Sequence, residues 1–242
     1  MSKHTLGVLG GLGPMSTFYF CELVTSHTKA RRDADHIDMI ISSRASTPDR
    51  TAYILGKCKD NPLPVMKEEA KKLASCGADL IVIPCNTAHY FYDGLAADCP
   101  VPILNIMSET VSLMKQLGVR HCGLLATDGT VQSGAYHRLC ETAGIQCTVP
   151  SPVDQARLMS LIYDSVKQNK PADLSVMREI SDALRAFGCE CLVLGCTELS
   201  LLRGQGLDEP DYLDSVEVLA YKTILACEKT PIGFPESWRT AR

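Results

Sequence analysis

Two cysteines stand in matching settings, Cys85 in Ile83-Pro84-Cys85-Asn86-Thr87 and Cys196 in Leu194-Gly195-Cys196-Thr197-Glu198. Each closes a short apolar run, follows a turn residue and precedes a small polar one. A thiol acts as base or nucleophile only once ionised, and little free cysteine is ionised at neutral pH. A helix starting just past each cysteine favours the thiolate through its unpaired backbone N–H groups and the positive end of its dipole. Two matched thiols therefore suggest a pair working from opposite sides of one substrate. Asn86, Thr87 and Thr197 add donors that hold an anionic group at the same helix ends. His89, one helical turn beyond Cys85, is placed to orient or protonate it. Glu198 opposes a thiolate at Cys196 if it is ionised and close; its other reading is a carboxylate stabilising the helix dipole. The competing reading of either cysteine alone is a buried core thiol, and of His89 a surface or capping residue.

The elements that position these residues can be read from periodicity. Leu80 to Ile83 and Cys191 to Leu194 read as fully buried parallel strands, which places each cysteine at the carboxyl edge of a sheet, where open α/β proteins bind ligands. Strands are predicted over Thr5–Gly10, Ile37–Ser42, Asp79–Pro84, Val101–Leu104, Cys122–Ala126, Ile145–Val149 and Glu190–Leu194. Helices are predicted over Pro14–Arg31, Pro64–Cys76, Thr87–Ala97, Ser108–Leu117 and Val131–Ala143. A helical stretch from Asp154 to Phe187, interrupted near Lys170-Pro171, and a helix over Ser215–Glu228 complete the pattern. Such alternation implies βαβ units and an α/β fold.

The pattern restarts midway. Gly7-Val8-Leu9-Gly10 before a glycine-rich turn resembles Gly123-Leu124-Leu125-Ala126 before Thr127-Asp128-Gly129-Thr130. Each turn is followed, after a similar interval, by a strand ending in Cys85 or Cys196, a weak internal repeat. The expected architecture is two pseudo-symmetric lobes with parallel sheets facing a central cleft. The N-terminal lobe spans 1–104 with 206–230 returning to it, the C-terminal lobe 105–205, and residues 231–242 form a tail. That tail has no clear period and is expected to be loosely attached.

Other motifs are weaker. Gly10-Gly11-Leu12-Gly13-Pro14 lies where a dinucleotide fingerprint belongs, but Ser16 replaces its third glycine and no Lys-Ser/Thr follows. A nicotinamide-dependent oxidoreductase is the alternative this turn raises. Its glycines still allow close backbone approach to a small ligand, and Met15 begins the helix beside the cleft. Cys189, Cys191 and Cys196 are the nearest approach to a metal site, yet no C-x-x-C pair is present and no metal is expected. Arg50 and Lys167 read, from spacing alone, as solvated surface charges.

Composition narrows the class further. The 242 residues carry net charge -4, with 45% hydrophobic and 21% charged residues. No basic run points to nucleic acid, and no apolar stretch is long enough to span a membrane. The start of the chain shows no signal-peptide pattern, so a cytoplasmic location and reduced thiols are expected for the twelve cysteines.

Four motifs taken in order carry a resemblance. Gly7-Val8-Leu9-Gly10-Gly11-Leu12-Gly13-Pro14, Pro48-Asp49-Arg50-Thr51-Ala52-Tyr53-Ile54-Leu55, Pro84-Cys85-Asn86-Thr87-Ala88-His89 and Gly195-Cys196-Thr197-Glu198 resemble the aspartate racemase branch of the aspartate/glutamate racemase superfamily. The resemblance runs from about Leu6 to Glu228. It implies two Rossmann-like lobes, a homodimer, no cofactor, and a small acidic amino acid as substrate. It makes Cys85 and Cys196 the catalytic pair, Cys196 deprotonating the L-enantiomer and Cys85 the D-enantiomer. It places Met15, Thr51, Asn86, Thr87, Ala88, Thr127 and Thr197 around the substrate, and turns Arg50 and Lys167 into partners of the side-chain carboxylate. Arg44, in a stretch departing from the family pattern, becomes a second possible carboxylate partner. Glutamate or broad-specificity racemisation and dicarboxylate cis–trans isomerisation remain alternatives on this scaffold, as does a non-catalytic ligand-binding protein.

Overall fold

The inner strands of the sheets are buried on both faces, and their period of two divides the core. Along β1 (Thr5–Gly10) Leu6 and Val8 point one way and Leu9 the other. The computed structural model describes residues 4–240. Met1-Ser2-Lys3 and the last two residues of the tail lie outside them. After β1 come α1 (Pro14–Ser26), β2 (Asp38–Ser43), α2 (Arg50–Ile54), α3 (Pro62–Ser75) and β3 (Leu80–Val82). A 3₁₀ turn (Thr87–Phe91), α4 (Tyr92–Ala96), β4 (Ile103–Leu104) and α5 (Ile106–Gln116) follow. The second half runs β5 (His121–Leu125), α6 (Asp128–Ser133), α7 (Ala135–Ala143), β6 (Gln146–Thr148) and α8 (Pro152–Ser160). A π-helical turn (Leu161–Ser165) and a 3₁₀ turn (Val166–Gln168) lead to α9 (Leu174–Ala186), β7 (Cys191–Leu194) and α10 (Thr197–Ser200). The chain closes with β8 (Tyr212–Asp214), α11 (Ser215–Ala226) and α12 (Glu236–Thr240).

Two four-stranded sheets result, ordered β2-β1-β3-β4 and β6-β5-β7-β8, and every pairing within them is parallel. The repeated order is the pseudo-symmetry expected of the two halves. Leu6, Val8 and Val82 of the first sheet share a core with Cys122, Leu124 and Val193 of the second. The opposite faces carry separate cores, Ile81 and Ile83 under α3 in one lobe, Leu192 and Leu194 with Ile180 of α9 in the other. Helix α11 packs on α1 and α5, and α5 on α7, so one helical layer spans both halves. That shared layer sets the spacing of the two carboxyl edges.

Several boundaries differ from expectation for physical reasons. The helix expected over Val131–Ala143 is broken at Gly134, whose φ of 66° suits a residue without Cβ. The helix expected over Thr87–Ala97 divides into a 3₁₀ turn and the short α4. The second sheet takes its last strand from Tyr212–Asp214, beyond the boundary read at 205. The described part of the tail is not loose: Phe234 and Trp238 are buried, stack at 5.5 Å, and Tyr221 Oη donates to the Trp238 carbonyl at 3.1 Å.

Candidate active site

Cys85 lies just past β3 and Cys196 just past β7, the central strands of the two sheets. Both side chains are buried, and both line one small cavity at the carboxyl edges. All twelve cysteines are free thiols. The helices expected to activate them are short. Asn86 and Thr87 open a 3₁₀ turn, and α10 after Cys196 is a single turn. So few aligned peptides carry little of a helix dipole, and another group sets the ionisation of Cys196.

At Cys196 that group is Glu198. Its Oε2 accepts the thiol proton of Cys196 at 3.0 Å, and its Oε1 accepts from Lys167 Nζ at 2.7 Å. Burial, then the Glu198 charge, push the Cys196 thiol well above its ordinary pKa, against the opposing pull of Lys167. Burial works to neutralise Lys167, but the charge and hydrogen bond of Glu198, together with the nearby cysteine thiolates, outweigh it and the ammonium pKa is raised. The carboxylate approaches closely because residue 13 is glycine: a Cβ there would stand 2.6 Å from Glu198 Oε1. Tyr163, one turn before Lys167, sets its ring 5.3 Å from the ammonium and its hydroxyl 3.4 Å from Asp49 Oδ2.

Arg50 is also buried in the wall. Its guanidinium donates to the carbonyls of Leu12 at 2.7 Å, Pro48 at 3.0 Å and Thr47 at 3.3 Å, while its Nε has no protein partner. A buried unpaired N–H is costly, and a substrate carboxylate is one way to satisfy it. Arg50 and Lys167 face Asp49 and Glu198 in the same lining, so the formal charges of the wall cancel.

Threonines join the two halves. Thr87 Oγ1 bonds Thr127 Oγ1 at 3.0 Å and Thr130 Oγ1 at 2.9 Å, and Thr51 donates to Thr127 at 3.3 Å. Asn86 is held from both ends of its amide: Tyr136 Oη donates to its Oδ1 at 2.7 Å, and its Nδ2 donates to Ser215 Oγ at 2.9 Å. His89 does not act on the Cys85 thiol. Its Nδ1–H donates to the Cys85 carbonyl at 2.9 Å while its Nε2 accepts the Ile106 N–H at 3.3 Å, which fixes a neutral tautomer. Burial lowers its pKa to about 4.

Of the residues the resemblance implies, Arg50, Thr51, Asn86, Thr87, Thr127, Lys167 and Thr197 line the cavity with the two cysteines. Ala88 does not; it is fully buried, packed among Leu9, Ile81 and Phe91 in the first lobe's own core. Met15 is 54% exposed and lines an outer vestibule of about 500 Å³, which meets the cavity at Asp49, Arg50, Lys167 and Glu198. Arg44 is turned away, with Nη1 at 2.8 Å from both Glu68 and Glu69. Sequence reasoning missed Leu12, Asp49 and Tyr163. The four-residue spacing of Tyr163 and Lys167, which shares one helical face, was the available signal for the last.

Two parallel-sheet lobes each offer a thiol to one cavity, and the comparisons give the class. The Asp/Glu/Hydantoin racemase profile matches residues 9–223, and the chain belongs to that family. It is 26% identical over 227 residues to the broad specificity amino-acid racemase RacX of Bacillus subtilis, covering 90% of this chain and 96% of that one. The aspartate racemase of Picrophilus torridus superposes with a TM-score of 0.83 at 28% identity, covering 98% of both chains. Glutamate racemase of Thermus thermophilus is 31% identical over 184 residues, 72% of this chain and 67% of the relative. The protein is thus a racemase-family isomerase. Among the described residues no helix is long and apolar enough to cross a membrane.

Proposed function

We propose that the chain interconverts L- and D-aspartate by two-base proton transfer between Cys196 and Cys85. The observation that carries this reading is that both thiols line one cavity whose wall also holds Arg50 and Lys167. The chemical obstacle is the low acidity of an α-proton. Positioning a thiolate against it and excluding water supply much of what is needed. The cavity's free interior is about 10 Å³, room for roughly one water, so the walls part to admit substrate and reclose over it. The vestibule at Gly13, Met15 and Ser16 is the route in.

With substrate in place, Cys196 in its thiolate form takes the α-proton of the L-enantiomer, and the Cys85 thiol returns a proton on the other face; roles reverse for the D-enantiomer. Glu198 is the acceptor already bonded to the Cys196 proton. A thiolate formed against so high a pKa is a strong base, which suits a weak carbon acid. Hydroxyl donors from Thr87, Thr127 and Thr197 meet negative charge developing at the α-carboxylate. Arg50 Nε–H and the Lys167 N–H groups not used by Glu198 take the side-chain carboxylate.

A second reading is favoured by one observation. Glu198 and Asp49 cancel the charge of Lys167 and Arg50, and a neutral wall suits zwitterions with uncharged side chains as well as acidic ones. Chiral chromatography after incubation with L-aspartate, L-glutamate and L-alanine under reducing conditions separates the two. Fastest turnover of L-aspartate supports the first. Comparable turnover of L-alanine overturns it in favour of broad specificity.

A further inference from the structure

The twelve cysteines are more than two-base chemistry uses, and three of the others meet. Spacing pointed to Cys189, Cys191 and Cys196 as the nearest thing to a metal site. The fold instead collects Cys122, Cys140 and Cys147, whose sulfurs all lie within 4.8 Å of one another. They come from three elements. Cys122 on β5 and Cys147 on β6 are register partners across adjacent strands, and Cys140 reaches them from α7. The Cys122–Cys140 sulfur separation is 4.0 Å.

That spacing matches a coordination geometry. Three sulfurs placed about 2.3 Å from a common ion in one plane stand about 4.0 Å apart. No fourth His, Cys, Asp or Glu joins the group among the described residues, and the thiols sit in the core that contains Leu124, Tyr136 and Ile145. Zinc prefers four ligands, whereas an all-sulfur, three-coordinate, dry site suits a soft monovalent ion. An approach exists: β6 is the edge strand of its sheet, and Cys147 is only half-buried.

We propose that Cys122, Cys140 and Cys147 form a three-coordinate cuprous site, separate from the active-site cavity. Binding forms three copper–sulfur bonds and releases the displaced S–H protons to solvent; no electron is transferred. The site has a structural consequence. One turn before Cys140 on α7, Tyr136 holds Asn86, the neighbour of Cys85, so an ion here braces the helix that anchors the catalytic loop.

The test uses the full chain carrying Cys85→Ser and Cys196→Ser, which removes the cavity thiols. It is loaded anaerobically with cuprous copper under ascorbate and passed over a cuprous chelator. One equivalent of copper per chain should be retained, with X-ray absorption showing three sulfur neighbours. Adding Cys147→Ser, at the half-buried edge position where folding is least at risk, should abolish retention, as should Cys140→Ala. Adding Cys227→Ala, a buried thiol elsewhere, should leave it intact. Zinc offered in place of copper should wash out. Retention that survives Cys147→Ser in a chain with unchanged circular dichroism, tighter retention of zinc than copper, or nitrogen and oxygen neighbours at the bound ion would each overturn the proposal.

Discussion

Replacing Glu198 with glutamine isolates the charge that sits against Cys196. The carboxylate oxygen is 3.0 Å from the sulfur, and the residue is 6% exposed. At an effective dielectric of about 20, a negative charge at that distance disfavours the thiolate by at most about 5 kcal/mol. Lys167 on the other carboxylate oxygen offsets part of this in the native chain. Once Glu198 is neutral, Lys167 loses its partner and its own charge then favours the thiolate. The Cys196 pKa should therefore fall in Glu198→Gln. The assay is the pH dependence of Cys196 carboxymethylation, followed on its peptide by mass spectrometry in a Cys85→Ala background. A reaction midpoint that stays put or rises in Glu198→Gln would refute the assignment of Glu198 as the dominant charge at this thiol.

Three further outcomes are expected. Arg50→Ala should raise the KM for L-aspartate by about 10- to 100-fold with a much smaller effect on L-alanine, since a charge-assisted hydrogen bond of about 1.5–3 kcal/mol is lost; equal losses for both would assign Arg50 to the shared α-carboxylate. His89 is held neutral by burial with a pKa of about 4, so the unfolded chain binds the extra proton between about 6.5 and 4. Stability should fall as pH drops through that window by up to ~3 kcal/mol, and His89→Gln should flatten the slope in urea titrations. Glu217 is the opposite case: burial, then Asp214, raise it from 4.5 to about 7, so the folded chain binds the extra proton and stability falls as pH rises through that range. Glu217→Gln should stabilise the protein by ~1–2 kcal/mol at pH 8 and by little at pH 4; equal effects at both values would contradict the burial argument.

The fold was largely legible because its inner strands, β1, β3, β5 and β7, are buried on both faces. The continuous apolar runs at Leu80–Ile83 and Cys191–Leu194 have few other readings, and the restart of the pattern near Cys122 announced the second sheet. What escaped notice depends on contacts distant in sequence. Tyr212–Asp214 is too short to show a period and becomes a strand only because β7 offers it a partner. The tail reads as irregular, yet Phe234 and Trp238 bury against Tyr221. At the site, each cysteine and its polar neighbours could be picked out by local setting. The Lys167–Glu198 pair could not, since its members lie 31 residues apart and meet only when α10 closes over the turn that carries Lys167. Met15, Ala88 and Arg44 show the converse: motif neighbours whose side chains the backbone directs to the vestibule, the core and a surface ion pair.

The most direct measurement is racemisation of L-aspartate in deuterium oxide, with both enantiomers separated at early turnover and their α-positions read by mass spectrometry. Two thiols on opposite faces require that newly formed D-aspartate carry solvent deuterium while the remaining L-aspartate keeps its hydrogen. D-aspartate retaining the original α-hydrogen would mean that a single base carries the proton across, and Cys85 and Cys196 would not be the pair described.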